Sequence, residues 1–557
     1  MKVKKLMAMM LCIVMLASLF AGCGGGEPEA ESTEAAEWDG KITIGVVDHP
    51  LVQDYETNKL TLWLEEQTGY DLEFQVLAAS NGDAKSQLAT RTAGGEKLPD
   101  IIIGLSLSDG EIKDYGDDGY FLDLKEILYD REKSNNFWEL LEHAYPDDEE
   151  RAFLMQRATD PENGAIYALP SMEYSIFDPI DSMVYINTAW LDKLGLEMPT
   201  DNDSLYEVLK AFVNDDPNGN GLRDEIGIVG RPYGTFGHSA TSWLINNFCL
   251  MSTEEWFNVD DNGKLSLPFM SDEYREALIY LNKLTRENLL PSSIWSMTPA
   301  DTKRLLNPDD GVNRVGIFVG HPSVVLNEGY TNHYEYEPLP YWGYAMEHSQ
   351  SFVKRVFITE DCDNLDAVWN LLMTMHTQEA VYRMRYGEYG VDWEYADDNT
   401  TSVSGEEAKI KVLNMDVWST SNNQNWHSTV GTITFYSENE NTQLDEDMSE
   451  WAKFKYGLLM GAYRNKEAAL KAKPYKKMMP LIYTEEERLL TEAEVSNCKA
   501  WIETMRAQFA CGTDGLDPAN DKDWQDYLDE LNRLGVDTWI EQAQNIYDRQ
   551  VEQLIIQ

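Results

Sequence analysis

Lys41-Ile-Thr-Ile-Gly-Val-Val47 opens the stretch that decides the fold. Its apolar run reads as a strand, and a helix over 59–67 follows with Leu60, Trp63 and Leu64 on one face. Gly69 closes that helix, and Leu72-Glu-Phe-Gln-Val76 alternates as a second strand. A further helix over 84–93 stops at Gly94-Gly95, a strong C-terminal signal. Pro99-Asp100 then introduces Ile101-Ile-Ile-Gly104, an apolar strand of the kind buried on both faces of a parallel sheet. Strands alternating with helices at this spacing predict a doubly wound α/β domain, whose ligands bind beyond the carboxyl ends of the strands. The first such ends are Asp48-His49 and Leu105-Ser106-Leu107-Ser108.

Upstream, Lys2, Lys4 and Lys5 precede a nearly unbroken apolar run over 6–20, and Ala21-Gly22 supplies small residues before Cys23. A stretch this short, ending in small residues, reads as an export signal rather than a spanning helix. Leu19-Phe20-Ala21-Gly22-Cys23 resembles a bacterial lipobox, which implies a signal peptide over 1–22 and lipidation of Cys23. The acidic, Gly-, Pro- and Ser-bearing segment 23–38 holds almost nothing that a core could use, so it reads as a flexible, self-repelling linker.

The 557 residues include 97 Asp and Glu against 45 Lys and Arg, a formal net charge of −52. That excess argues against nucleic acid, and against polyanions as favoured ligands. Cys249, Cys362, Cys498 and Cys511 lack close-pair or metal-ligand spacing and read as buried free thiols; Cys498 with Cys511 is the one pairing the sequence suggests.

Four further motifs carry a family resemblance. Asn163-Gly-Ala-Ile-Tyr-Ala-Leu-Pro170 and Tyr185-Ile-Asn-Thr-Ala-Trp-Leu-Asp-Lys-Leu-Gly195 resemble segments of bacterial extracellular solute-binding proteins of family 1. Tyr386-Gly-Glu-Tyr-Gly-Val-Asp-Trp393 and Leu534-Gly-Val-Asp-Thr-Trp-Ile-Glu-Gln-Ala-Gln-Asn-Ile-Tyr-Asp-Arg549 resemble two more, in the family's order. The resemblance implies a two-lobed periplasmic-binding-protein-like α/β fold with doubly wound sheets, several hinge crossings and a helical C-terminal part. It places 39–172 and about 347–385 in lobe 1, and about 173–346 and 386–557 in lobe 2. It also implies an oligosaccharide ligand, neutral on the charge argument, handed by a monomer to an ABC-transporter permease with its ATPase. Cys23 would hold the protein on the outer face of the cell membrane.

Between Asn214 and Glu225, Asp216, Asn218 and Asn220 alternate, Gly221 permits a sharp bend, and Asp224-Glu225 follows. Oxygen ligands at every second residue before a glycine are how a short loop wraps a hard cation such as Ca²⁺. Leu222 stands where a backbone carbonyl points inward, and Glu225 replaces the distal Glu of an EF-hand, whose position is Gly227 here. The resembled family carries structural calcium on this shortened pattern.

Sugar sites combine aromatic platforms with polar side chains. Aromatics in polar or Gly-rich loops are therefore the candidates: Tyr233 with His238, then Trp243, Trp295, Trp342, Trp393 beside Asp392, and Trp418 and Trp426. His321, after the strand 315–320, and Tyr174 and Asp178, after Leu169-Pro170, join them as strand-end residues. An exported enzyme acting on polysaccharide is the rival reading. The chain has no HExxH, GxSxG or phosphate loop, and Gly237-His-Ser-Ala-Thr241 lacks the closing glycine of a nucleophile elbow.

Overall fold

A computed structural model describes residues 38–557, except 175, 178–179, 233–237, 252–255, 348–350, 419, 428–432, 436–441, 444–448 and 557. Cys23 and the segments 1–22 and 23–37 lie outside the described residues.

In the first lobe, β1 (Lys41–Val47) pairs in parallel with β2 (Asp71–Leu77) and with β3 (Ile101–Ile103). β4 (Leu169–Tyr174) then leads across to the second lobe, where β5 (Val184–Asn187) and β6 (Ile226–Val229) begin another sheet. A small hairpin of β7 (Asn258–Val259) and β8 (Leu265–Ser266) precedes β9 (Val315–Val319) and β10 (Tyr336–Pro338). β11 (Ser351–Ile358) returns to the first sheet, β12 (Trp393–Tyr395) pairs with β13 (Ile410–Val412), and β14 (Ile433–Phe435) closes the first sheet's edge. The sheet orders are β14-β4-β11-β3-β1-β2 and β10-β5-β9-β6.

The first helix, Lys59–Thr68, starts where Asn58 accepts a hydrogen bond from the Leu60 N–H and ends at Gly69, whose φ of 76° is left-handed. Leu60 and Leu64 are buried, as the spacing predicts, and so are Ile42, Ile44 and Val46 of β1. β3 departs from expectation in one respect. It is fully buried, but only its β1 side is parallel; on its other side β11 runs antiparallel. The reversal follows from β11 being a returning strand that enters from the other lobe.

The second sheet is covered on both faces. Val184, Ile186, Ile317 and Val319 feed one core, while Tyr185 and Phe318 feed another, which is the period-two alternation of a strand. The first core takes in helices Asn202–Asn214 and Asp272–Arg286 together with the C-terminal helices Glu485–Cys511, Asp521–Leu534 and Val536–Ile556. The second takes in helix Glu450–Ala472 through Leu458, Leu459 and Ala462. Both C-terminal contributions are helical, as expected.

The expected assignment of 386–557 to lobe 2 needs correction. β14 pairs with β4 in the first sheet, and the segment around 422–427 bonds to the first lobe. Asn58 Nδ2 donates to the Asn425 carbonyl at 2.9 Å, the Lys59 N–H to the Asn423 carbonyl at 2.9 Å, and Asn423 Nδ2 to the Thr57 carbonyl at 2.8 Å. The amide-rich stretch finds its partners at the first helix's open N-terminus, where backbone donors lack intrahelical acceptors. Cys249, Cys362, Cys498 and Cys511 are free thiols; Cys498 is buried in the second-lobe core, where burial pushes its pKa up to about 11.

Candidate functional site at the lobe junction

β11 lies against β3 at the place where the chain has just crossed between lobes, and the Gly104 N–H donates to the Arg355 carbonyl at 2.9 Å. On its other side, the register with β4 slips between Lys354 and Val356, a β-bulge at Arg355. In a regular strand neighbouring side chains point to opposite faces, and a bulge re-aims them. Lys354 and Arg355 accordingly line the same cavity of about 540 Å³, together with Ser106, Asp109, Arg157 and Phe352 from the first lobe and Tyr483 and Arg488 from the C-terminal part. Arg355 Nε donates to Ser106 Oγ at 3.0 Å, and Lys354 Nζ pairs with Asp109 Oδ1 at 2.9 Å. The Arg157 guanidinium lies 4.5 Å over the Phe352 ring.

A second cavity, of about 550 Å³, shares Arg157 and Pro480 with the first. Its walls include Tyr145 and Leu154 from the first lobe, Glu347 from the returning crossing, and Tyr463 and Lys466 from helix Glu450–Ala472. Lys466 is buried, and its ammonium bonds to Glu347 Oε1 at 2.9 Å. Tyr475 holds the same crossing by donating to the Ala345 carbonyl at 3.1 Å and accepting from the Glu347 N–H at 3.0 Å. Both cavities therefore sit where the lobes meet, and the first opens beyond the carboxyl end of β3, the position an α/β sheet uses for ligands.

The Asp216–Glu225 loop stands apart from these cavities, between helix Asn202–Asn214 and β6. Asp216 holds a φ of 46°, and Gly219 and Gly221 hold 75° and 76°, so the chain coils tightly. The loop's own amides orient its oxygens: the Asn220 N–H donates to Asn218 Oδ1, Leu222 N–H to Asn220 Oδ1, and Gly221 N–H to Asp216 Oδ2. Asp216 Oδ1 and both carboxylate oxygens of Glu225 are buried without a hydrogen-bond partner. Burial raises the Glu225 carboxyl above its ordinary range, and the nearby Asp216 and Asp224 charges add to this. Burial would raise Asp224 too, but hydrogen bonds from Arg314, Asn220 and Asn218 bring it below the usual value. Unpaired buried carboxylate oxygens are costly unless a cation meets them. Among the described residues no cluster of three or more His, Cys, Asp or Glu side chains could hold a metal, so this loop would depend on amide and backbone oxygens as well.

The family model described as bacterial extracellular solute-binding protein matches residues 50–372. The chain belongs to that family. Among curated relatives of this solute-binding protein, the fructooligosaccharide ABC transporter substrate-binding protein FusA of Streptococcus pneumoniae is 28% identical over 250 residues, 43% of each chain. Lipoprotein LipO of Bacillus subtilis is 28% identical over 308 residues, 53% of each chain. The matched region thus spans about half the length of these relatives. In solved structures, an HMO-binding solute-binding protein from Bifidobacterium longum infantis superposes with a TM-score of 0.68 at 21% identity, covering 91% of this chain and 98% of that one. FusA in complex with kestose gives 0.64 at 21% identity, covering 91% and 99%. These likenesses establish the two-lobed fold.

Three of the aromatic candidates of the solute-binding protein, Trp243, Trp393 and Trp426, are buried in its interior. Trp243 is buried in the second-lobe core, edge-to-face with Trp342 at 6.0 Å between centroids, and Trp342 Nε1 donates to Asn202 Oδ1. Trp295 packs on the same core. Trp393 is fully buried and donates to the Gly387 carbonyl. Its neighbour Asp392 is buried too, accepting from the Glu388 N–H and from Asn414 Nδ2, both at 2.8 Å. Trp426 is fully buried, donating to Thr61 Oγ1 at 2.9 Å and meeting Phe74 edge-on. Burial removes Trp243, Trp393, Trp426 and Asp392 from a ligand's reach, a correction to the expectation, whereas Trp295 and Trp342 are half-buried against the core. Tyr233 and Asp178 lie outside the described residues, as do the side chains of Tyr174 and Trp418.

The two histidine candidates come together. His321 follows β9, and His238 bridges to Ser182 on the outgoing crossing. Burial lowers both imidazoles to about 4, helped by Arg231 at His238 and by His238 and Lys455 at His321. In the first lobe His49, at the end of β1, stacks on His427 at 4.0 Å. The charged side chains lining the two cavities carried no sequence signal, apart from the adjacent Lys354-Arg355 interrupting an otherwise apolar strand.

Proposed function

We propose that this chain is the substrate-binding lipoprotein of an ABC importer, capturing an oligosaccharide between its lobes and delivering it to a membrane permease without altering it. The observation that supports this most directly is the pair of cavities lined by both lobes and by the crossings between them. A ligand touching both walls binds the closed arrangement better than the open one, and that difference in affinity is what moves a hinge equilibrium. The names of FusA and of the HMO-binding protein point to carbohydrate as the class. Cys23 would carry the lipid, and the acidic linker would keep the lobes beside the transporter at high local concentration. No helix among the described residues is long and apolar enough to cross a membrane, so the lipid is the anchor of this reading. The protein would act as a monomer.

A panel of defined oligosaccharides decides the matter. A binder shows a thermal shift and compaction in X-ray solution scattering with the sugar recovered intact. Appearance of cleavage products would transfer the chain to the rival class of exported enzymes.

Calcium belongs to the same proposal. Asp216, Asn218, Asn220, the Leu222 carbonyl, Asp224 and Glu225 would hold it, and its contribution would be to neutralise the buried carboxylates of a loop joining helix to strand. Calorimetry of chelator-treated protein against Ca²⁺ tests this, and absence of micromolar binding would remove it.

A further inference from the structure

Among the described residues, Arg355 is a cation of the cavity beside the β11 bulge with no carboxylate paired to it. Lys354 is matched by Asp109 at 2.9 Å, Lys113 by Asp117 and by Glu162 at 3.6 Å, and Arg488 by Glu485 at 2.8 Å. Arg355 is bonded only through Nε, to the neutral hydroxyl of Ser106 at 3.0 Å, and among the described residues no carboxylate pairs with it. Its placement is also specific. The bulge turns it toward the cavity its neighbour Lys354 already lines, and Ser106 takes the inner nitrogen; among the described residues the two terminal nitrogens of the guanidinium fork have no protein acceptor.

We propose that Arg355 is the specificity-determining residue of the cleft and that the captured oligosaccharide carries a carboxylate, as a uronic acid does. The inference rests on the oligosaccharide reading above. A planar guanidinium held by Nε presents two parallel N–H groups at the spacing of a carboxylate's oxygens, which a hydroxyl cannot match. The Phe352 ring in the same cavity supplies an apolar surface for a sugar's CH groups, and Arg157 lies over one of its faces. The overall negative charge does not oppose such a ligand once it is docked. Exposed charges more than about 8 Å away are largely screened at physiological salt, so the local fork decides affinity. The distant charges act instead on approach and slow it. The expectation from net charge alone, a neutral ligand, is thereby reversed.

The test is isothermal titration of the full chain with trigalacturonate and with galactotriose, a neutral sugar of the same length, for wild type, Arg355→Gln and Arg355→Lys. Wild type is expected to bind the acidic trimer more tightly. Arg355→Gln should weaken that binding by about 10- to 100-fold, the worth of a charge-assisted pair, and weaken the neutral trimer's binding by much less. Arg355→Lys should recover only part of the loss. Because Arg355 sits in a sheet, Ser106→Ala provides a second variant that frees the guanidinium without removing it, expected to cost several-fold for the acidic trimer alone. Neutral sugars bound as tightly as acidic ones, or equal losses for both with Arg355→Gln, would overturn the inference and leave the capture reading standing. Failure of every sugar in a wide panel, neutral and acidic, would overturn the capture reading itself.

Discussion

β5 and β11 stand at the same lobe junction, one just after the chain leaves the first lobe and one just after it returns, yet they carry opposite kinds of side chain. All four residues of β5 are buried, with Val184 and Ile186 in one core and Tyr185 in the other. β11 keeps Val356, Phe357 and Ile358 buried, but at its crossing end it slips register and turns Lys354 and Arg355 into a cavity. A strand clamped between two cores has no side chain to spare for a ligand. A bulged strand at a junction gives up regular pairing and gains charged groups aimed where the lobes meet. The second lobe is thus expected to govern stability, and the junction end of the first to govern what is bound.

The sharpest way to break that division is Trp539→Ala. Trp539 is buried on the last helix, edge-to-face with Phe257 at 5.1 Å between centroids, and ties the C-terminal helices to the second-lobe core. Truncation should cost about 3–5 kcal/mol in urea denaturation. Ligand affinity of the remaining folded protein should stay within about twofold, an expectation for a residue that lines neither cavity. A large affinity loss at unchanged stability would erase the contrast.

Calcium comes next. If the loop binds it, Ca²⁺ at about a hundredfold excess over its Kd adds about 2.7 kcal/mol of stability, read as a rise in Tm. Asp216→Ala should abolish that rise while leaving the Arg355-dependent preference in place. A Tm indifferent to Ca²⁺ in the wild type would show that the unpaired oxygens of Asp216 and Glu225 are tolerated without a cation.

Acid should act mainly through buried histidines. His238, His321 and His376 have imidazoles lowered to about 4 by burial, from an ordinary value of 6.5. A group depressed in the folded state and protonated more readily in the unfolded one holds its stability above the unfolded value and loses it as pH falls toward the folded one. The window is therefore about pH 6.5 down to 4, with about 2 kcal/mol per histidine gone by pH 5. His376→Asn should flatten the slope of Tm against pH in that window, since its Nδ1 meets the Leu372 carbonyl and its Nε2 has no partner. A slope unaffected by the substitution would place the acid sensitivity elsewhere.

The elements up to residue 104 were legible because their signals are local. Asn58 and Gly69 bound the first helix, and alternation or continuous apolarity marks each strand. The loop at 216–225 was legible for the same reason. The cavity residues were not. The Arg355 bulge is a slip of register against β4, and the Ser106 hydroxyl that orients its guanidinium lies 249 residues away in sequence. The burial of Trp243, Trp393 and Trp426 was not legible either, because a polar neighbourhood in sequence need not be one in space. The Asn423 side chain and the Asn425 carbonyl near Trp426 bond at the start of a helix while the indole goes inward.

Trp426→Phe gives the smallest effect and the most discriminating one. The phenyl ring keeps most of the apolar contact with Phe74 and removes only the indole N–H that bonds Thr61 Oγ1 at 2.9 Å. Thr61 still donates its hydroxyl to the Tyr55 carbonyl at 2.6 Å, so it loses an acceptor role rather than its only bond. The cost should be about 0.5–1.5 kcal/mol, near the net worth of one hydrogen bond. Sugar affinity should not move at all. Had Trp426 been a stacking platform, as its setting in the sequence suggests, phenylalanine would lower affinity and spare stability. Measuring Tm and Kd on this one variant therefore separates an aromatic that holds a lobe together from one that holds a ligand.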